Sequence, residues 1–79
     1  MMSKNEIENQ IIEMISEISE QNLNYSDIYT PFDELEVDSL MALELSVHIE
    51  REFGVYLYEE DLVKISCIND LFLIIDERL

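Results

Sequence analysis

A single glycine and a single proline in 79 residues constrain this chain more than any other feature. A β-sandwich or barrel reverses direction at short intervals through turns that draw on both residue types. Gly54 and Pro31 alone cannot supply them, so a few helices are predicted instead. Hydrophobic residues make up 48% of the sequence, which separates it from acidic disordered tails. The length fits one domain, read here as residues 1–79. A domain of this size buries only ~60% of its unfolded surface, so its core is compact but marginal.

Charge narrows the functional classes. Four Lys and Arg stand against 19 Asp and Glu, a net charge of −15. Nucleic acid is excluded as a partner, because phosphate binding needs clustered cations. Attraction to basic surfaces is predicted, together with self-repulsion that salt relieves and that favours a monomer. The start, MMSKNEIENQ, lacks the apolar core of a signal peptide, and no apolar run approaches the ~20 residues of a membrane span. A cytoplasmic location is expected. Cys67 has no intramolecular disulfide partner, and with His48 it cannot close a zinc site without acidic ligands. The spaced acids and glycine of a calcium loop are absent.

Helix signals run along the chain. Ser3 and Glu6 read as a capping box, each side chain accepting an amide of the first turn. Ile7, Ile11, Ile15 and Ile18 recur at helical spacing, widened by Ile12 and Met14, while Glu8, Glu13, Glu17 and Glu20 form a solvated face. Gln21, Asn22 and Asn24 mark the end. A long connection over 23–37 carries Leu23, Tyr25, Ile28, Tyr29, Phe32, Leu35 and Val37, predicted to pin it to a bundle, with a helical turn near Ser26 to Tyr29. Pro31 disfavours helix at Thr30. Asp38 is an N-cap for a second helix that begins at Ser39 and stops at Gly54. Glu59, Glu60 and Asp61 open a short helix with Leu62, Val63 and Ile65; Ser66 caps a last one holding Ile68 and Leu71 to Ile75. The prediction is all-α: a four-helix bundle with a short third helix and a long first loop.

The second helix has two apolar faces. Met41, Ala42, Leu45, Ile49 and Phe53 share a broad stripe that should face the core. Leu40, Leu43 and Val47 lie nearly opposite, edged by Glu44. Either both faces are buried, or the second is an exposed docking patch. Ser39 lacks the surroundings of a nucleophile: there is no G-x-S-x-G elbow, and His48 lies nine residues along the helix. What its position offers is an anion site, where free amides and the helix dipole stabilise a negative group on the serine oxygen.

Asp38-Ser39-Leu40, at the start of a second helix that ends in Glu52-Phe53-Gly54, resembles the acyl carrier proteins, and the likeness in charge, length and layout spans nearly the whole chain. The resemblance implies that Ser39 takes 4′-phosphopantetheine from coenzyme A as a phosphodiester, and that Asp38 helps hold the Mg²⁺ of a phosphopantetheinyl transferase. Leu40, Leu43, Glu44 and Val47 resemble the recognition-helix residues gripped by acyl-transferring and condensing synthases with basic docking surfaces; Ile65 resembles a further contact. It implies a carrier of acyl thioesters, not an enzyme. Many members have Gly two residues before the motif Asp; Glu36 stands there instead, so a different local turn is expected. Met41-Ala42-Leu43-Glu44-Leu45 is more similar to polyketide-type carriers than to fatty-acid carriers, so polyketide or related secondary metabolism is expected before fatty-acid biosynthesis, and a compact chain with an initial Met suggests a discrete protein. The alternatives are an aminoacyl or peptidyl carrier of a nonribosomal pathway, or an acidic helical protein that binds and inhibits a basic partner.

Overall fold

Four α-helices make up the computed structural model, which describes residues 3–79: α1 (Lys4–Ser19), α2 (Ser39–Phe53), α3 (Glu59–Lys64) and α4 (Ile68–Arg78). A single 3₁₀ turn, Tyr25–Asp27, lies in the long first loop. The all-α prediction, the short third helix and the long loop all hold. Ile11 and Ile15 of α1, Ile49 of α2, and Ile68, Leu71 and Ile75 of α4 are fully buried and form the centre of the core. Both α2 and α4 pack against α1, whereas α3 has no comparable helix partner.

The ends of the helices depart from expectation in detail. The Glu6 N–H donates to Ser3 Oγ (3.2 Å), but Glu6 Oε1 accepts from the Ser3 hydroxyl (3.1 Å) rather than from its backbone. At the other end, α1 stops on Glu20, left-handed at φ 56°. The Glu20 and Gln21 N–H groups donate back to Glu17 O and Ser16 O, a Schellman arrangement made without glycine. Ser66 does not cap α4; Cys67 holds that position, and its side chain makes no cap bond. Asp70 instead reaches back, its Oδ2 accepting from both the N–H and the hydroxyl of Ser66 at 2.9 Å. Those two bonds hold the Asp70 carboxyl below its ordinary pKa.

The loop is pinned, though not by every expected side chain. Ile28 and Leu35 are buried, and Leu23, Phe32 and Val37 pack against the core. Tyr25 stacks on Phe72 at 6.3 Å between ring centroids and donates its hydroxyl to Glu8 (3.3 Å). Glu8 is therefore buried, a correction to its place on the solvated face. Tyr29 is exposed and pins nothing; Leu73 likewise points outward from α4. Backbone bonds complete the attachment, from Phe32 N–H to Ser66 O and from Asn69 N–H to Ile28 O, both 2.9 Å. Asn24 caps the 3₁₀ turn, its Oδ1 accepting from the Ser26 N–H, while Asp27 accepts from the Asn24 N–H.

After Pro31 the chain makes a second, helix-like turn. Leu35 N–H donates to Pro31 O, and Val37 N–H to Phe32 O (2.9 Å). Glu36 closes that turn at φ 59°, the left-handed conformation that glycine adopts freely. The expected change of turn has not occurred: Glu36 adopts the positive-φ conformation, and an L-residue held there costs about 1–2 kcal/mol. Glu36→Gly should therefore leave the fold intact and raise stability by up to ~1 kcal/mol in urea melts, since relief of strain outweighs the added freedom of the unfolded chain. A Glu36→Gly variant less stable than wild type would remove strain from the account.

One ion pair joins α3 to α4. Arg78 donates from Nη1 to Asp61 Oδ2 (2.7 Å) and from Nη2 to Asp61 Oδ1 (2.8 Å). The Arg78 guanidinium, aided by the Tyr58 N–H, holds the Asp61 carboxyl down to about 2. A carboxyl depressed on folding adds stability that is present above its unfolded pKa and lost as pH falls through the folded one. The stability gap between wild type and Arg78→Gln should thus stay constant above about pH 4 and close towards about pH 2. Urea melts of both proteins across that range check it; a gap indifferent to pH would mean that Arg78 acts only through packing.

Candidate functional site

Three neighbouring features build the site at the start of α2. Val37 is half-buried and its N–H is tied to Phe32 O, which fixes the approach to the helix. Asp38 is extended (φ −95°, ψ −179°), and its Oδ1 accepts the Met41 N–H at 2.9 Å. This is the N-cap predicted from sequence, and α2 closes as predicted on Gly54, at φ 69° with its N–H donating to Glu50 O. Ser39 is the first residue of α2 and exposed. Asp38 makes the cap bond, which fixes the backbone at the start of α2 and leaves the Ser39 hydroxyl out of the cap. It sits at the positive end of a 15-residue helix, where a phosphate ester would be stabilised without burial.

His48 is exposed and nine residues further along, about 13 Å at the rise of an α-helix, too far to activate Ser39. Among the described residues no cluster of His, Cys, Asp or Glu could hold a metal ion. Cys67 is half-buried at the start of α4, as a small packing residue.

The two-faced helix resolves in favour of exposure. Leu45 and Ile49 are buried, with Met41, Ala42 and Phe53 half-buried beside them. On the other side Leu40, Leu43 and Val47 are 65%, 55% and 46% exposed, and Glu44 is exposed at their edge. Ser46, between the faces, is buried with its hydroxyl donating to Leu43 O (2.7 Å).

Beside Ser39 runs a groove of about 740 Å³. One wall is α2, from Ser39 through Leu43 and Val47 to Glu50; the other is the segment from Tyr56 to Ile65. Phe32 and Val37 lie at the loop end. A hydroxyl at the mouth of a partly apolar groove can carry a flexible arm that lies either along the groove or out in solvent. Ile65 does not join the exposed face expected for it. It falls one residue past α3, 8% exposed, because it and the half-buried Leu62 share the inward side. Val63 is the residue that projects, 81% exposed. Its place between those two inward positions was the available signal.

Comparison with known proteins bears on the same residues. The family model for the phosphopantetheine attachment site matches residues 9–72. An acyl carrier protein of Rickettsia canadensis is 33% identical over 81 aligned positions, covering 99% of this chain and 92% of the relative. The polyketide-8 synthase acyl carrier protein 2 of Streptomyces avermitilis is 40% identical over 47 residues, 60% of this chain. The anthracycline acyl carrier protein DauA of a Streptomyces species is 44% identical over 48 residues. The chain spans little more than half the length of these last two, 54% and 57%. The crystal structure of an acyl carrier protein from Thermotoga maritima superposes with a TM-score of 0.79 at 27% identity, over 95% of this chain and 88% of that one.

The two faces of α2 should separate in stability measurements. Leu43→Ala should change stability within the ~0.5 kcal/mol usual for surface substitutions. Leu45→Ala, which empties a core position, should cost roughly 2–5 kcal/mol. Thermal or urea melts of the pair decide it: equal losses would mean that the outer arc supports the fold.

Proposed function

This chain belongs to the acyl carrier protein family, and from that premise we propose that Ser39 is its phosphopantetheine attachment residue. The observation that carries the reading is the placement of Ser39: exposed, first in α2, and held behind the Asp38 cap at the mouth of the groove. Modification forms a phosphodiester between the Ser39 oxygen and the pantetheine phosphate of coenzyme A, with loss of the nucleotide part. Asp38 has one carboxylate oxygen on the Met41 N–H; in this reading the other is left for the transferase's Mg²⁺. The phosphopantetheine arm supplies a terminal thiol that holds acyl groups as thioesters. What the chain itself contributes is position and recognition.

Recognition falls to the outer arc of α2. Leu40, Leu43 and Val47 offer apolar contact small enough for release, and Glu44 with the net charge of −15 draws in basic docking surfaces of a transferase and of acyl-transferring synthases. Val63, on the opposite wall of the groove, takes the contact role that Ile65 is too buried to fill. The groove gives the arm and the first part of its cargo a place to lie. Polyketide or a related secondary-metabolite pathway is the assignment favoured by the sequence after the motif and by the Streptomyces relatives. No helix among the described residues is long and apolar enough to cross a membrane. A monomer acting in the cytoplasm accords with that and with the self-repulsion of its charge.

Incubation with coenzyme A and a phosphopantetheinyl transferase should add one arm, read by intact-mass analysis. Ser39→Ala should keep its helical circular dichroism and gain nothing. Full modification of Ser39→Ala would overturn the assignment.

A further inference from the structure

The segment from Tyr56 to Ile65 forms one wall of the groove, yet it contains the helix with the least helix-to-helix packing. A six-residue helix has no independent stability, so its place depends on what ties it down. Apolar anchoring comes from Leu57 and Ile65, one on each flank, with Leu62 half-buried between them. Past its far end, Ser66 O accepts the Phe32 N–H. Within residues 55–65, every hydrogen bond to another part of the described chain comes from Arg78. Its guanidinium grips both oxygens of Asp61 and, at 3.2 Å, the carbonyl of Tyr56. That fork spans the connection and the first turn of α3 together. Asp61 in turn accepts the Tyr58 N–H at 2.8 Å, so one carboxylate organises the start of α3 and fastens it to α4.

This is the sole ion pair among the described residues, although the chain has four cations and 19 acids. The Asp61 side chain is only 13% exposed, so the contact is less screened than a surface pair. Two-pronged guanidinium–carboxylate contacts are also directional, which an ammonium cannot reproduce.

We propose that Arg78 is a positioning residue for the carrier groove: by clasping Asp61 and the Tyr56 carbonyl it latches α3 opposite α2 and sets the width of the space beside Ser39. The proposal rests on the groove as the resting place of the arm, and its test separates the two ideas.

Amide hydrogen exchange is measured by NMR on the full chain as wild type, Arg78→Lys and Arg78→Gln. In Arg78→Gln the amides of 59–65 should exchange about tenfold faster, with those of Ile11 and Ile49 changed less than about twofold. Arg78→Lys, which keeps the charge and loses the fork, should fall between. A uniform loss of protection, or none, overturns the latch. In parallel, Ser39 is loaded with a pantetheine bearing an environment-sensitive fluorophore. Shielded emission in wild type that shifts towards the water-exposed value in Arg78→Gln supports the latch as the control on the groove. Shielded emission that does not shift, with faster exchange in 59–65, overturns that control. Water-like emission already in wild type overturns the groove reading, and the exchange result then judges the grip of Arg78 on α3 by itself.

Discussion

Nineteen carboxylates must share the surface of a 79-residue domain that has only four cations to offer them. Surface pairing cannot answer that imbalance, and the structure answers it with backbone amides. Asp27 accepts the N–H of Asn24, Asp38 that of Met41, Asp61 that of Tyr58 and Asp70 that of Ser66. Each sits at the start of a helical element, where unbonded amides and the dipole favour negative charge. Four acids are thus used at helix starts, and Asp61 alone among them also meets a cation. The cohesion comes from a narrow aliphatic core of Ile11, Ile15, Ile49, Ile68, Leu71 and Ile75, drawn from three helices.

The same arrangement explains why Ser39 is both exposed and well placed. The cap at Asp38 and the turn closed by Glu36 determine where α2 begins, and both lie in the segment immediately before the serine. Glu36 bears backbone strain that a glycine would avoid. Its side chain is exposed and contributes to the acidic field of the domain. Strain beside the start of a helix is tolerated when the surroundings over-determine the conformation. Here the bonds of Leu35 to Pro31 and of Val37 to Phe32 do so on either side.

Much of this was legible in the sequence because it depends on local chemistry. The ends of α2 follow from Asp38 and Gly54, and its two faces follow from helical period alone. The cap at Asp38 with Ser39 first in the helix was legible for the same reason, since the two are adjacent in the chain. What was not legible depends on contacts between distant residues. Glu8 reads as solvated until the Tyr25 hydroxyl reaches it from the loop. Ser66 reads as a cap until Asp70 claims its N–H and hydroxyl and moves that role to Cys67. Leu73 and Tyr29 are apolar enough to suggest burial, but a small domain has more large side chains than interior. Ile65 was placed by resemblance, and its burial depends on how the short α3 is set against the core. The Arg78–Asp61 pair joins positions 17 residues apart, and no local pattern marks it.

Mechanical inequality between the groove's walls is what those distant contacts add. The wall provided by α2 is packed along α1, begins at a side-chain cap and ends at a glycine, so Ser39 and the outer arc share one rigid element. The opposite wall is a six-residue helix between two connections, fastened by one guanidinium and flanking apolar residues. A carrier must keep its attachment point and recognition face constant for every partner while its cargo changes in size. Rigid elements suit the first demand, and low local stability suits the second. The division of labour follows from packing: α2 buries Leu45 and Ile49 deep in the core, whereas α3 buries only Asp61 and relies on Leu57 and Ile65 outside its own ends. Release of the lighter wall would therefore leave Ser39 in place, because the packing that holds α2 is chiefly with α1.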